Sequence, residues 1–217
     1  MTNNYIITGT DTDVGKTVVA AMLALGLGAR YWKPVQSGRD AETGRTDTET
    51  VRALAGLDGA RCLRETYCFS QALSPHRAAE LDGITIEPEK IISDYKRHAS
   101  ISSPLLIEGA GGLMVPITRG LLQIDLFAQI GAPVILVART GLGTINHTLL
   151  SLGVIRARGL VLAGIIFTGP ENSDNIKTIL DFAARERMPA QNLGWLPPLA
   201  ELNASALMAA FHEHIKL

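Results

Sequence analysis

TGTDTDVGKT, Thr8 to Thr17, ends in Gly15-Lys16-Thr17, the close of a phosphate-binding loop whose usual form is Gly, four residues, then Gly-Lys-Ser/Thr. The first glycine of that pattern would fall at Thr10, and the nearest one, Gly9, comes one residue early. An apolar run, Tyr5–Thr8, precedes the loop and a helical pattern from Lys16 to Leu27 follows it. A strand–turn–helix of this kind offers backbone N–H groups and the positive end of a helix dipole to an anion. Lys16 then reaches the outer phosphates, and the Thr17 hydroxyl suits Mg²⁺.

Further strands are expected at Tyr31–Val35, Leu105–Glu108, Val134–Ala138, Leu160–Phe167 and Leu193–Leu196, with a weaker one at Thr66–Phe69. Four are continuously apolar, as strands covered on both faces of a parallel sheet must be. Helices are expected from Thr46 or Asp47 to Ala55, after Ser74-Pro75 with the serine hydroxyl capping, and over Thr144–Arg158, Ser173–Arg187 and Ala204–Ile215. The alternation predicts an α/β fold: one doubly wound, mainly parallel sheet of about seven strands flanked by helices, in a single domain spanning 1–217.

Ligands of such sheets bind beyond the carboxyl ends of the strands, so the residues that follow each strand are the ones to weigh. KPVQSG (Lys33–Gly38) puts a second cation beside the phosphate loop, where phosphoryl transfer needs charge neutralised. EGAGGL opens with Glu108, an acidic residue at a strand end suited to Mg²⁺, and its glycines allow close backbone approach. Asp47 is a third oxygen donor, read alone as a helix cap. Thr17, Asp47 and Glu108 suffice for a hard ion that keeps most of its water. Gly143-Thr144 opens a second helix N-terminus. GWLPPLAE, with Pro197, Pro198 and Leu199, forms a rigid loop that walls a base pocket or turns the chain. His147, Trp32 and Trp195 read as packing residues.

The 217 residues are 47% hydrophobic and 19% charged, with a net charge of −1. That balance carries no electrostatic footprint for nucleic acid or an anionic membrane. The longest apolar runs, APVILVA and GLVLAGIIF, fall short of the roughly 20 residues of a bilayer span, and no secretory signal pattern is visible. A cytoplasmic protein is expected. Cys62 and Cys68 lack metal-type spacing and read as buried thiols.

GTDTDVGKT, KPVQSG, SPH, EGAGGLMVP, PVILVARTGLGTINHTLL and GLVLAGIIF, in this order over nearly the whole chain, resemble the dethiobiotin synthetases. The resemblance implies a P-loop NTPase fold with a seven-stranded parallel sheet, a homodimer, and an ATP- and Mg²⁺-dependent ligase. Its substrates would be 7,8-diaminononanoate, CO₂ and ATP. By the same resemblance Asp13, Val14, Gly15, Lys16, Thr17 and Val18 embrace the nucleotide, along with Asp47, Glu108, Gly109, Ala110 and Gly111. Thr168, Gly169, Pro197, Pro198 and Leu199 stand on its base side. Lys33, Lys16 and Thr12 act in catalysis. Thr12 and Ser37 meet the diamine or its carbamate, and Gly143, Thr144, Ile145 and Asn146 of the partner subunit receive its carboxylate. The loop's extra residue then shapes the cavity, with Thr12 and Asp13 in place of glycine.

The chain departs from that pattern where family members carry Asn-Asp to read the base, since it has Thr168-Gly169. Near the carboxyl end it has Ala204 in place of an acidic ribose contact, with Glu201 as a substitute, and Gly141 where some members carry lysine. One rival is a related ATP-dependent ligase or amidotransferase domain acting on another amine or carboxylate, against which the GAGG and KPV segments count; the other is a positioning ATPase of the ParA/MinD type, which shares the fold. Those proteins place a signature lysine five residues before the loop lysine, where this chain has Asp11.

Overall fold

The computed structural model describes residues 4–217. In chain order the elements are β1 (Tyr5–Gly9), α1 (Lys16–Gly26), β2 (Arg30–Trp32), β3 (Val35–Ser37), α2 (Asp47–Ala55), β4 (Cys62–Leu63), β5 (Tyr67–Phe69), α3 (Pro75–Leu81) and α4 (Pro88–Ala99). They continue with β6 (Leu105–Gly112), β7 (Pro116–Thr118), β8 (Leu121–Leu122), α5 (Gln123–Ile130), β9 (Val134–Arg139), α6 (Thr144–Ala157), β10 (Leu162–Thr168), α7 (Ser173–Arg185), β11 (Asn192–Leu196) and α8 (Ala204–His214). Seven strands form one parallel sheet in the order β11-β10-β9-β1-β6-β2-β4.

The apolar runs are strands because both sheet faces are covered. Ile6, Leu105, Ile107, Val134, Leu136, Ile165 and Phe167 point into one core, beneath α4 to α7. Their neighbours Ile7, Leu106, Ile135, Val137 and Ile166 point into the other, beneath α1, α2 and α8. Side chains alternate faces along a strand, so a strand between two helical layers must be apolar at every position.

Two expectations change here. The strand expected at Tyr31–Val35 breaks at Lys33-Pro34, because proline has no N–H to offer a sheet ladder. β2 ends at Trp32, and β3 starts a separate two-stranded sheet with β5. The weak strand at Thr66–Phe69 therefore does not enter the main sheet, whose edge is β4. The break has a consequence for function: Lys33 sits where the chain leaves the sheet, at the carboxyl end of β2. Helices α4 and α5 and the β7–β8 hairpin add to the expected elements. Ser74 precedes Pro75 as expected, but its side chain makes no capping hydrogen bond.

Candidate active site

β1 delivers the chain to a loop that has no room for side chains at its entrance. A Cβ on Gly9 would lie 2.6 Å from Val14 Cγ2 and 2.9 Å from the Asp11 carbonyl oxygen. The early glycine is thus the point where the longer loop curls back on itself. Asp13 adopts a left-handed φ of 56° and Gly15 one of 90°, conformations that aspartate tolerates and glycine takes freely. The Lys16 ammonium donates to the Asp11 carbonyl at 2.8 Å.

The Thr17 hydroxyl, one residue on, donates to Glu108 Oε1 at 3.0 Å. Lys33 Nζ donates to the same oxygen at 3.0 Å and to the Gly109 carbonyl at 3.0 Å, and pairs with Asp47 Oδ2 at 2.5 Å. Thr17, Lys33, Asp47 and Glu108, separated widely in sequence, meet in this way around one ammonium. Asp47 is free to join because it is not the helix cap. Thr46 accepts from the Glu49 N–H, and Glu49 reaches back to the Thr46 N–H, a complete capping box.

Burial is the largest influence on the Lys33 ammonium and pushes its pKa down, but Glu108 and Asp47 together outweigh it and leave the pKa raised. Lys33 therefore stays charged. Lys16 goes the other way: burial lowers it and the Lys33 charge adds to that, against the pull of Glu108 and Asp47. Burial raises Glu108 above the usual carboxylate range despite Lys33.

The four groups line a cleft of about 670 Å³. Thr12, Asp13, Gly15, Val18, Ser37, Ala110 and Gly111 line it too, as do Arg39 and Asp40, which carry no role in the sequence reading. The Ser37 hydroxyl is buried without a protein partner. Gly109 offers its carbonyl to Lys33 but turns its side-chain position away from the cleft. A Cβ there would lie 2.7 Å from Phe127 and 2.8 Å from the Gln123 amide, so its missing side chain serves packing and not ligand approach. Gln123 holds the Gly-rich turn at both ends, accepting from the Ala110 N–H at 2.6 Å and donating to the Gly112 carbonyl at 2.8 Å. No sequence signal singled it out.

Other expected site residues lie elsewhere. Thr168 and Gly169, with Pro197 to Leu199, gather at the carboxyl ends of β10 and β11 on the far side of the loop, outside the cleft lining. The Thr168 hydroxyl donates to the Val14 carbonyl at 2.7 Å, tying this side to the phosphate loop. Gly143, Thr144, Ile145 and Asn146 form the N-terminus of α6, also outside the cleft lining, and the Thr144 hydroxyl donates to the Arg139 carbonyl. Trp32 is buried and Trp195 donates to the Gly169 carbonyl, whereas His147 and Cys68 are exposed, against expectation.

Thr17, Asp47 and Glu108 make an all-oxygen donor set, the kind Mg²⁺ prefers. Among the described residues no cluster of three or more His, Cys, Asp or Glu could hold a metal. That leaves the two-carboxylate, one-hydroxyl arrangement, which fits an ion that takes its remaining ligands from water and phosphate.

The AAA domain family profile matches residues 3–206. The ATP-dependent dethiobiotin synthetase of Rhodopseudomonas palustris (strain HaA2) is 49% identical over 214 residues, covering 99% of this chain and 94% of that protein. That of Agrobacterium fabrum is 47% identical over 217 residues, covering 100% and 96%. This chain belongs to the ATP-dependent dethiobiotin synthetase family. Solved structures with the same fold include the septum site-determining protein MinD of Pyrococcus horikoshii, complexed with Mg-ADP (TM-score 0.59, 16% identity, covering 96% of this chain and 93% of that one). A ParA family ATPase from Chlorobium tepidum is similar as well (TM-score 0.55, 10% identity, covering 96% and 97%). At such identities the likeness is one of fold, and the family assignment rests on the synthetases.

Proposed function

We propose that the protein closes the cyclic urea of dethiobiotin from 7,8-diaminononanoate and CO₂, with hydrolysis of ATP to ADP and phosphate. The observation that supports this best is the convergence of Lys16, Lys33, Asp47 and Glu108 on one cleft that Thr12 and Ser37 also line. A nucleotide-switch protein needs the phosphate loop; it does not need a buried lysine at the end of β2 and an unpartnered serine hydroxyl facing the same space. In addition, Asp11 stands where the switch proteins have their signature lysine, and it pairs with Arg139 at 3.6 Å.

In this reading one amine of the diamine attacks CO₂, loses a proton and becomes a carbamate. A carbamate oxygen attacks the γ-phosphorus, ADP leaves, and a carbamic–phosphoric anhydride forms. The second amine attacks the carbamoyl carbon, loses its proton and expels phosphate, closing the ring. Lys33, charged and fixed between two carboxylates, stabilises the carbamate and the transferring phosphoryl. Lys16 takes the outer phosphates; burial first, and the Lys33 charge after it, lower its pKa, and the same burial and nearby cations favour the neutral, nucleophilic form of a substrate amine. Ser37 and Thr12 orient the diamine. Thr17, Asp47 and Glu108 would hold Mg²⁺, which supplies charge neutralisation across the phosphates.

The protein is a single domain over 1–217 that works as a cytoplasmic homodimer, with the substrate carboxylate received by the partner's α6 N-terminus. ATP is the nucleotide, with Thr168, Gly169 and Pro197 to Leu199 beside its base. Among the described residues no helix is long and apolar enough to cross a membrane. Phosphate release measured with the diamine, with bicarbonate and with both tests the reading. Release that needs both, together with a product of dethiobiotin's mass, is the expected result. Release indifferent to the diamine refutes it.

A further inference from the structure

Glu108 is fully buried, and its two oxygens are used very differently. Oε1 accepts from Thr17 and Lys33, the groups of the cleft. Oε2 accepts from the Tyr31 hydroxyl at 2.9 Å. Tyr31 is itself 0% exposed. It lies on β2 opposite Leu106 of β6, in the core layer that Leu106 shares beneath α1 and α2. Glu108 is two residues beyond Leu106, so strand alternation returns its side chain to that same face. The tyrosine ring spans the diagonal between neighbouring strands, and its hydroxyl ends on the carboxylate.

We propose that Tyr31 is a positioning residue for the metal-binding carboxylate: its hydroxyl occupies Oε2 of Glu108 and so turns Oε1 into the cleft. The proposal rests on the reading of Glu108 as a magnesium ligand. The chemistry favours tyrosine over a charged donor here. A third cation behind Glu108 would neutralise the carboxylate that Lys33 and the metal need, whereas a neutral O–H fixes its orientation and leaves its charge to the cleft. Phenylalanine would fill the same space and leave Oε2 buried with no donor, so the carboxylate would turn to share its oxygens with Lys33.

The test is Tyr31→Phe in the full-length protein, with Mg²⁺ affinity measured by calorimetry on the ADP-bound enzyme and by the Mg²⁺ dependence of turnover. Loss of about 10-fold or more in Mg²⁺ affinity is expected, the scale on which groups behind a metal ligand act, with the KM for the diamine unchanged. Unchanged Mg²⁺ affinity in the folded variant overturns the proposal. Glu108→Gln separates the two layers of the argument. If it leaves Mg²⁺ affinity intact, the ligand assignment of Glu108 fails, whatever Tyr31 does. Urea unfolding of the single and double variants closes the cycle: the hydroxyl should matter much less to stability once Glu108 is Gln. Strictly additive losses, or a Tyr31→Phe defect in folding that Glu108→Gln does not relieve, make Tyr31 a packing residue and overturn the proposal.

Discussion

Lys33 Nζ lies 2.5 Å from Asp47 Oδ2, joining the end of β2 to the first turn of α2 across the mouth of the cleft. The contact exists because Pro34 takes the chain out of the sheet immediately after Lys33, and because Thr46 relieves Asp47 of capping duty. Lys33 is 4% exposed at its side chain and Asp47 33%, so one end of the pair is dry and the other wet.

Lys33→Gln removes the preorganised cation. Turnover should fall on the order of 10²-fold or more, the effect of deleting one electrostatic stabiliser. Thermal unfolding should show a second loss, since Glu108 is left buried without its counterion, a change that costs about 3–5 kcal/mol when one partner of a buried pair is removed. Parental turnover in a folded Lys33→Gln variant would take Lys33 out of the mechanism.

The capping box and the carboxylate of α2 can be separated by mutation. Thr46→Ala should lower stability by about 1 kcal/mol, the usual value of a lost cap, with the Mg²⁺ dependence of turnover close to that of the parent. Asp47→Asn should weaken Mg²⁺ binding, raising the Mg²⁺ needed for half-maximal turnover, and any loss of stability should trace to the Lys33 pair and not to the cap. A reversed pattern would mean that Asp47 caps the helix after all.

Gly26 closes α1 directly against α8, and a Cβ there would run into the ring of Phe211. Gly26→Ala should destabilise by about 1–3 kcal/mol, the range for overpacking a filled core, and leave kcat unchanged because the contact is remote from the cleft. Equal melting temperatures for parent and variant would show that α8 yields freely.

Glu80 receives the side chains of Arg119, the stronger influence, and Arg77, and its pKa is held down to about 2. A carboxylate depressed on folding contributes stability above its ordinary pKa and loses it as pH falls toward the depressed one. The contribution of this cluster should therefore be complete at neutral pH and gone near pH 2. It is exposed, so about 1 M salt should shrink it. Arg119→Ala, compared with the parent by thermal melts at several pH values, should differ most at neutral pH and low salt. A difference that persists in acid would assign the effect to packing.

Much of the site is legible in the sequence because it occupies loop positions at strand ends. Lys16 and Thr17 close the loop that leaves one apolar run, Lys33 and Glu108 stand at the ends of two others, and parallel topology puts all such ends on one edge. Gln123 and Tyr31 were not legible. Gln123 begins a short helix that no periodicity marked, and Tyr31 reads as one more aromatic in a buried strand. The reason for the glycine at 109 was not legible either, since a side chain left out for Phe127 and one left out for a ligand look alike in a sequence.

The order of apolar strands and helices, and hence the doubly wound parallel fold, was determined by the sequence alone, because burial on both faces demands unbroken apolar runs. The break after Lys33 was not read there, although Pro34, which cannot donate to a ladder, carried its cause. Which carboxylate oxygen faces the cleft, which of Thr46 and Asp47 caps α2, and which strand forms the sheet edge were decided only by tertiary structure. Each depends on contacts between residues far apart in the chain, and no local preference favours one outcome strongly enough to announce it.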